Sequence, residues 1–222
     1  MKIMVMEEIM SCNEELAEAN RADFAAGRIT VVNVMASPGA GKTSLIMELL
    51  GRLSGELPFS VIEGDIASAI DAEKIEAMGI PVIQINTGGG CHLDANMIKE
   101  AVTELHPKDD SILFIENVGN LICPSTFDLG ETIRLVIASV PEGHDKPYKY
   151  ISMFEAADVI ILSKTDLLPY VRFDKENFVK GIRALNQKAP LFEVSCTTGE
   201  GLEKVAEWLK EIARVNKLKV RR

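Results

Sequence analysis

Cysteine is scarce in this chain: four residues, at 12, 91, 123 and 196, in a length of 222. That number and scatter exclude a disulfide ladder, and no two of them form the paired CxxC spacing of a zinc ribbon. Positive charge is also short, since the formal net charge is −9. This argues against a sequence-independent grip on nucleic acid, and the one basic cluster, KLKVRR at the end, reads as a short solvated terminus. No run of about 18 apolar residues occurs, so no membrane-spanning helix is expected. The first stretch, MKIMVMEEIMSCNEELAEAN, turns acidic before a signal-peptide core could form. A cytoplasmic location is the expectation, with the cysteines present as thiols that act, if at all, as ligands or nucleophiles. Internal repeats, low-complexity tracts and linkers are missing too, so residues 1–222 read as one α/β domain able to bury a substantial core without disulfides.

What is present is an alternation of strand and helix. Apolar residues at helical spacing (Ile9, Leu16, Ala19, Phe24) predict an amphipathic helix over about 7–26. Strands are predicted at RITVVNVMA, PFSVIEG, IPVIQIN, SILFIEN, TIRLVIASV, ADVIILSK and PLFEVS. Helices are predicted at Thr43 to Leu53, Ser68 to Met78, after His92, Asp174 to Asn186, and from Glu200. Strands this apolar are buried on both faces, as in a mostly parallel sheet covered by helices. In such sheets ligands sit beyond the carboxyl ends of the strands, and the chemistry is to be sought there.

After the first strand comes ASPGAGKTS, which fits the phosphate-loop pattern G-x-x-x-x-G-K-[ST] except that Ala36 replaces the first glycine. The amides of Gly39, Ala40 and Gly41 can wrap a phosphate at the positive end of the next helix. Lys42 is placed to reach the β and γ phosphates, Thr43 to hold Mg2+, and Ser44 to support the α phosphate. A methyl at Ala36 is harmless only where the backbone φ is negative. Later, LSKTDLLPY offers Ser163, Lys164 and Asp166 as a variant of the [NT]KxD guanine motif. A carboxylate at Asp166 accepts from both N1–H and the 2-amino group of guanine, a donor pair adenine lacks, while Lys164 lies along the base. SCTTGEG, with Ser195 and Cys196, resembles the loop whose amide reaches the guanine oxygen. Between these motifs, EGDIASAIDAEKI carries Asp65 and Asp71 and FIENVGN carries Glu116 and Gly119. Carboxylates there can hold Mg2+ and a glycine amide can sense the γ phosphate, with one of the two aspartates left as a helix cap or surface charge. Lys42, Glu116 and Asp71 are the candidate catalytic groups. Asn120, not glutamine, follows Gly119, so intrinsic hydrolysis is expected to be slow.

The stretch TGGGCHLDANM places Cys91 beside His92. From the residues alone this pair is open to several readings: chance, a packed thiol beside a polar ring, a catalytic pair, or two ligands of one metal. Together, NTGGGCHLDANMI, ENVGNLICPSTFDLGE and HDKPYKYISMFEAADVIILSKTDLLPY resemble the HypB family, GTPases that assist nickel insertion into [NiFe]-hydrogenase precursors. The resemblance implies a SIMIBI-class P-loop fold, GTP and GDP as ligands, a GTP-dependent homodimer, and a Zn2+ or Ni2+ site made by Cys91, His92 and Cys123. It also implies a HypA-type nickel chaperone and a hydrogenase large-subunit precursor as partners; the charge and the lack of long apolar runs point to no nucleic acid or membrane partner. Two departures are visible. Met1 to Asn20 has only Cys12, which does not support strong nickel storage, and Gly89 stands where the family often has lysine. His144 is expected to be a surface loop residue. Two other readings compete: a ParA- or MinD-like ATPase, whose early phosphate-loop lysine is here Ser37, and a non-catalytic metal scaffold, against which Lys42, Thr43 and Asp166 argue.

The motif chemistry sets one test. Asp166→Asn is expected to weaken GTP binding markedly and to favour xanthine nucleotide, because an amide can donate to the oxygen that replaces the 2-amino group. Competition binding with both nucleotides and ATP measures it, and equal affinity of the unmodified chain for ATP and GTP defeats the base-recognition argument.

Overall fold

The structure, a computed structural model, describes residues 6–219; the end of the basic tail and the first five residues lie outside these. Its strands are β1 (Thr30–Ala36), β2 (Phe59–Asp65), β3 (Val82–Asn86), β4 (Ile112–Glu116), β5 (Ile133–Ser139), β6 (Val159–Ser163) and β7 (Leu191–Glu193). They form one sheet in the order β3-β2-β4-β1-β5-β6-β7. Every neighbouring pair is parallel. All seven predicted strands are therefore present, and the α/β P-loop architecture is as expected. From β1 the chain moves out to β2 and β3, returns to β4 beside β1, then crosses to β5, β6 and β7. Parallel strands share one end for their carboxyl termini, so the loops after β1, β2, β4, β6 and β7 meet there.

The helices are α1 (Met6–Ala26), α2 (Lys42–Arg52), α3 (Ile70–Glu76), α4 (Ala95–Leu105), the short α5 (Lys146–Lys149) and α6 (Ile151–Glu155), α7 (Lys175–Leu185) and α8 (Leu202–Lys219). Alternation along β1 divides the core. Val32 and Val34 join Leu45, Ile46 and Leu49 of α2 and Leu209 of α8 on one face. Val31 turns the other way, with Phe24 of α1 and Ile98 of α4. Met35 lies with Phe154, Phe178 and Ile182 under α6 and α7. Each such side chain, fully withdrawn from water, contributes about 1.5–3 kcal/mol, and burial on both faces accounts for the near-continuous apolar strands.

Differences from the sequence expectation fall at element ends. α3 starts at Ile70, not Ser68, because Asp65 accepts from the amides of Ala67 and Ser68, and Ser68 Oγ from that of Ile70, which commits these residues to turns. β1 begins at Thr30 because Arg28 turns at φ 54°. β7 is half the predicted length: the Val194 amide still donates to the Leu162 carbonyl of β6, but the Ser195 amide turns to Glu200 in the loop that precedes α8. α5 and α6 were not foreseen, their apolar residues being too few to show a helical period.

Gly201 lets that last loop fold back on β7. It has φ 74°, and an added Cβ would fall on the carbonyl oxygen of Glu193. Gly201→Ala is expected to destabilise the chain by roughly 2–4 kcal/mol, combining left-handed strain with a backbone clash. Urea unfolding measures it, and a loss below about 0.5 kcal/mol would show that the loop relaxes freely.

Candidate functional site

β1 ends at fully buried Ala36, which pairs with Ile137 as ordinary strand and so has no strained backbone. The missing glycine therefore costs the phosphate loop nothing. Gly39 (φ 75°) and Gly41 (φ 102°) then turn the chain into α2, whose first residue is Lys42. The loop borders a cleft of about 530 Å³ whose walls include Gly41, Lys42, Thr43, Glu63, Glu116 and Gly119. Gly119 lies against Pro38: a Cβ there would come within 3.0 Å of the Pro38 backbone, so the segment after β4 touches the phosphate loop directly.

The acidic groups gather at the cleft floor. Thr43 Oγ1 donates to Glu116 Oε1 at 3.0 Å, and Lys42 Nζ lies 3.6 Å from the same oxygen. Carboxylate oxygens of Glu63, Asp71 and Glu116 all lie within 4.8 Å of one another. Glu63 pairs with Glu116 in the β2–β4 register and is 2% exposed. Burial, then the neighbouring Glu116 charge, pushes its carboxyl up to about 10. Burial also raises Glu116, against the opposing pull of Lys42 and Thr43. One oxygen of each glutamate, Oε2, is buried with no hydrogen-bond partner. A hydroxyl beside orphaned, crowded carboxylate oxygens is a donor set that fits Mg2+.

Of the sequence candidates, Thr43, Asp71 and Glu116 thus converge. Asp65 lines the cleft but spends its carboxylate on the amides of Ala67 and Ser68, which lower it below the usual range. Glu63 takes the place in the cluster and was missed. The signal was there: a charged residue inside the apolar run of PFSVIEG needs a partner or a cation.

At the other end of the cleft, Ser163 Oγ donates to the Ala40 carbonyl at 2.7 Å, and Lys164 Nζ to that of Gly39 at 2.6 Å. The serine that replaces asparagine in SKTD is therefore a buried tie to the phosphate loop. Asp166 Oδ1 accepts from Ser195 Oγ at 2.6 Å, and Ser195 Oγ accepts from the Thr198 amide at 3.2 Å. The amide of Ser195 is committed to the Glu200 carbonyl. Cys196 packs its side chain against the core, where burial raises its thiol, so any contact it makes with a ligand is through its backbone.

Cys91, His92 and Cys123 also come together. Cys91 Sγ is 2.9 Å from Cys123 Sγ and 3.5 Å from His92 Nδ1. The hydrogen bond with Cys123 raises the Cys91 thiol; burial lowers the His92 imidazole, which stacks on Phe127 at 3.8 Å. Asn120 Nδ2 donates to the Cys91 carbonyl at 3.3 Å, joining the two segments. Two cysteine sulfurs and an imidazole nitrogen within 4.8 Å of one another match the donor set of Zn2+ or Ni2+. Tetrahedral thiolates on one metal stand about 3.7 Å apart, an opening of less than an ångström from the present spacing. His144 stays outside this group: its Nδ1 accepts from the Asp174 amide at 3.3 Å and its ring meets Phe173 edge-on. Among the described residues, no helix is long and apolar enough to cross a membrane.

Residues 30–193 match the family described as CobW/HypB/UreG, nucleotide-binding domain. The hydrogenase maturation factor HypB of Escherichia coli K12 is 49% identical over 91% of this chain and 70% of its own length. The chain belongs to the HypB family. A probable HypB of Methanocaldococcus jannaschii is 36% identical over 93% of this chain and 94% of its own. Among solved structures, HypB from Helicobacter pylori in complex with nickel superposes with TM-score 0.86, at 36% identity, over 92% of this chain and 96% of that one. The signal recognition particle receptor FtsY of Elizabethkingia anophelis, 15% identical with TM-score 0.50 over 84% of this chain and 69% of that one, shares the fold alone. This HypB-family chain thus has a P-loop nucleotide-binding domain, and its curated relatives are hydrogenase maturation factors.

The carboxylate cluster gives a pH test on nucleotide-free, metal-free protein. Glu63 holds its proton more tightly folded than unfolded, so the folded state binds more protons between the unfolded value near 4.5 and about 10. Stability must therefore fall as pH rises through that window. Glu63→Gln is expected to flatten this fall and to be more stable than the unmodified chain at pH 8, as read from urea midpoints. Parallel pH profiles would show instead that Glu63 is ionised in the fold.

Proposed function

We propose that the chain is a GTP-hydrolysing metallochaperone, one GTPase domain that assists nickel insertion during [NiFe]-hydrogenase maturation. The observation that carries this reading is the convergence, in one HypB-family chain, of a phosphate loop tied to Ser163 and Lys164 of the guanine-type motif and a Cys91–His92–Cys123 group at coordinating distance. The nickel in the Helicobacter pylori relative supports the same choice of cargo.

In this reading GTP lies along the cleft. Gly39, Ala40 and Gly41 turn amides to the phosphates, Lys42 offsets charge on the β and γ groups, and Ser44 supports the α phosphate. Thr43, Glu116, Asp71 and Glu63 hold Mg2+, which when bound supplies further charge neutralisation at the phosphates. To serve as a ligand there, Glu63 would give up the proton that burial makes it hold. Asp166, fixed by Ser195, accepts from guanine N1–H and the 2-amino group, with Lys164 beside the ring. The Ser195 amide being engaged, the Cys196 amide is the donor for the guanine oxygen. With Asn120 after Gly119, hydrolysis is slow until a second copy or a partner completes the site. The chain works as a GTP-dependent homodimer with a HypA-type nickel chaperone and the hydrogenase large-subunit precursor. Ser37, where a ParA-like ATPase carries lysine, offers no such charge.

Two variants test the halves separately. Lys42→Ala is expected to lower GTP turnover by at least about a hundredfold. Cys123→Ser is expected to lose stoichiometric Ni2+ or Zn2+ by metal analysis while GDP affinity stays within about twofold. Normal turnover in the first, or full metal content in the second, removes the corresponding half of the proposal.

A further inference from the structure

Two asparagines on α1, Asn13 and Asn20, are 6% and 3% exposed. They stand two helical turns apart and so face the same side. Asn13 Nδ2 donates to the Asp128 carbonyl at 2.8 Å while its Oδ1 accepts from the Ala95 amide at 2.9 Å. Asn20 Nδ2 donates to the Ala95 carbonyl at 2.8 Å and to that of Leu129 at 3.2 Å. Each side chain thus bridges the same two segments, and these are far apart in sequence. One is the start of α4, directly after Cys91 and His92. The other is the stretch that follows Cys123.

The contacts are not interchangeable with apolar packing. Ala95 opens α4, and its amide is one of the donors a helix start leaves without an internal partner; Asn13 supplies that partner. A buried amide side chain lowers stability unless its groups are bonded, so an apolar side chain would anchor α1 more simply. What the amides add is direction and spacing. The approach is close: a Cβ on Gly130 would come within 2.6 Å of the Ala17 carbonyl and 2.9 Å of the Arg21 nitrogen. Arg21 then fastens the same stretch, with Nη2 donating to Asp128 Oδ2 at 2.6 Å and Nη1 to the Glu131 carbonyl at 2.9 Å. Among the described residues, none on α1 lines the nucleotide cleft.

We infer that Asn13 and Asn20 are positioning residues of the Cys91–His92–Cys123 centre, setting the distance between its two halves from outside the coordination shell. The inference rests on the metal-binding reading above. Ligands on separate segments must be brought together before they chelate, and any freedom of one segment against the other is lost on binding. α1 removes that freedom in advance. Supporting residues of this kind change metal affinity by roughly tenfold to a hundredfold when removed.

The test uses the full chain carrying Asn13→Ala, Asn20→Ala or the isosteric Asn13→Asp, which keeps the acceptor for Ala95 and loses the donor to Asp128. Ni2+ affinity is measured by competition with a chromophoric chelator, thiolate-to-nickel charge transfer by near-ultraviolet absorption, and GDP affinity by calorimetry. Expected are Ni2+ binding weaker by about tenfold or more and an altered charge-transfer band, with GDP affinity within twofold. Asn13→Asp is expected to fall between the unmodified chain and Asn13→Ala. Exposed Glu15→Ala on the same helix is expected to change nothing. Ni2+ affinity within twofold of the unmodified chain in all three asparagine variants overturns the inference, as does parallel loss of Ni2+ and GDP binding, which marks a general loss of fold. Should Asn13→Ala not fold, Asn13→Asp decides alone. Cys91→Ser run alongside separates the two claims: if it keeps full Ni2+ affinity, the metal-site reading has failed, whatever the asparagines do.

Discussion

Two carboxylates lie side by side, Glu63 on β2 and Glu116 on β4, both buried and each with an oxygen that meets no donor. Low polarizability around them makes simultaneous ionisation costly, and one lysine does not balance two neighbouring negative groups and Asp71. That constraint organises the cleft. It holds Lys42 and Thr43 toward the floor, and it leaves a place that a divalent cation and phosphates can complete. The strain of crowded acids is tolerated because the parallel sheet fixes both strands rigidly, with the Glu63–Glu116 register set by backbone pairing and not by the side chains themselves.

From Glu116 the chain carries this organisation outward. Asn117, fully buried, accepts from the Leu93 amide, next to His92, and donates to Asn33 on β1; Asn33 in turn donates to Glu131, beyond Cys123. Gly119 meets Pro38 of the phosphate loop. One short segment therefore touches the phosphate loop, the segment of Cys91 and His92, and the strand at the centre of the sheet. Buried polar chains of this sort define a unique arrangement where all members are bonded, as they are from Leu93 to Arg134.

Much of the architecture was legible because its causes are local. Apolar runs bounded by turn residues gave seven strands, and the phosphate loop declares itself by glycines, lysine and threonine in a fixed order after a strand. The ends were less legible because side chains there bond the backbone. Asp65 illustrates this: its type and place make it a plausible ligand, yet the two amides that follow it claim its carboxylate. Glu63 shows the converse, an acid hidden in an apolar strand whose neighbour, Glu116, is distant in sequence and adjacent only through the sheet. The short helices before β6 escaped because a single turn has no period to read.

By itself the sequence determined the sheet of parallel strands, the phosphate loop, the guanine-type motif and the family resemblance, all of which rest on residue type at short spacing. The tertiary structure alone decided which acids share the cleft, that Ser163 and Lys164 are tied to the phosphate loop, and that Cys91 and Cys123 meet at 2.9 Å. It alone showed that Asn13 and Asn20, unremarked on a predicted amphipathic helix, join the segment after Cys91 and His92 to the segment after Cys123. The reason is physical: hydrogen bonds and ion pairs between segments act over a few ångströms in space, and no local period along the chain records which distant residues the fold will bring within that reach.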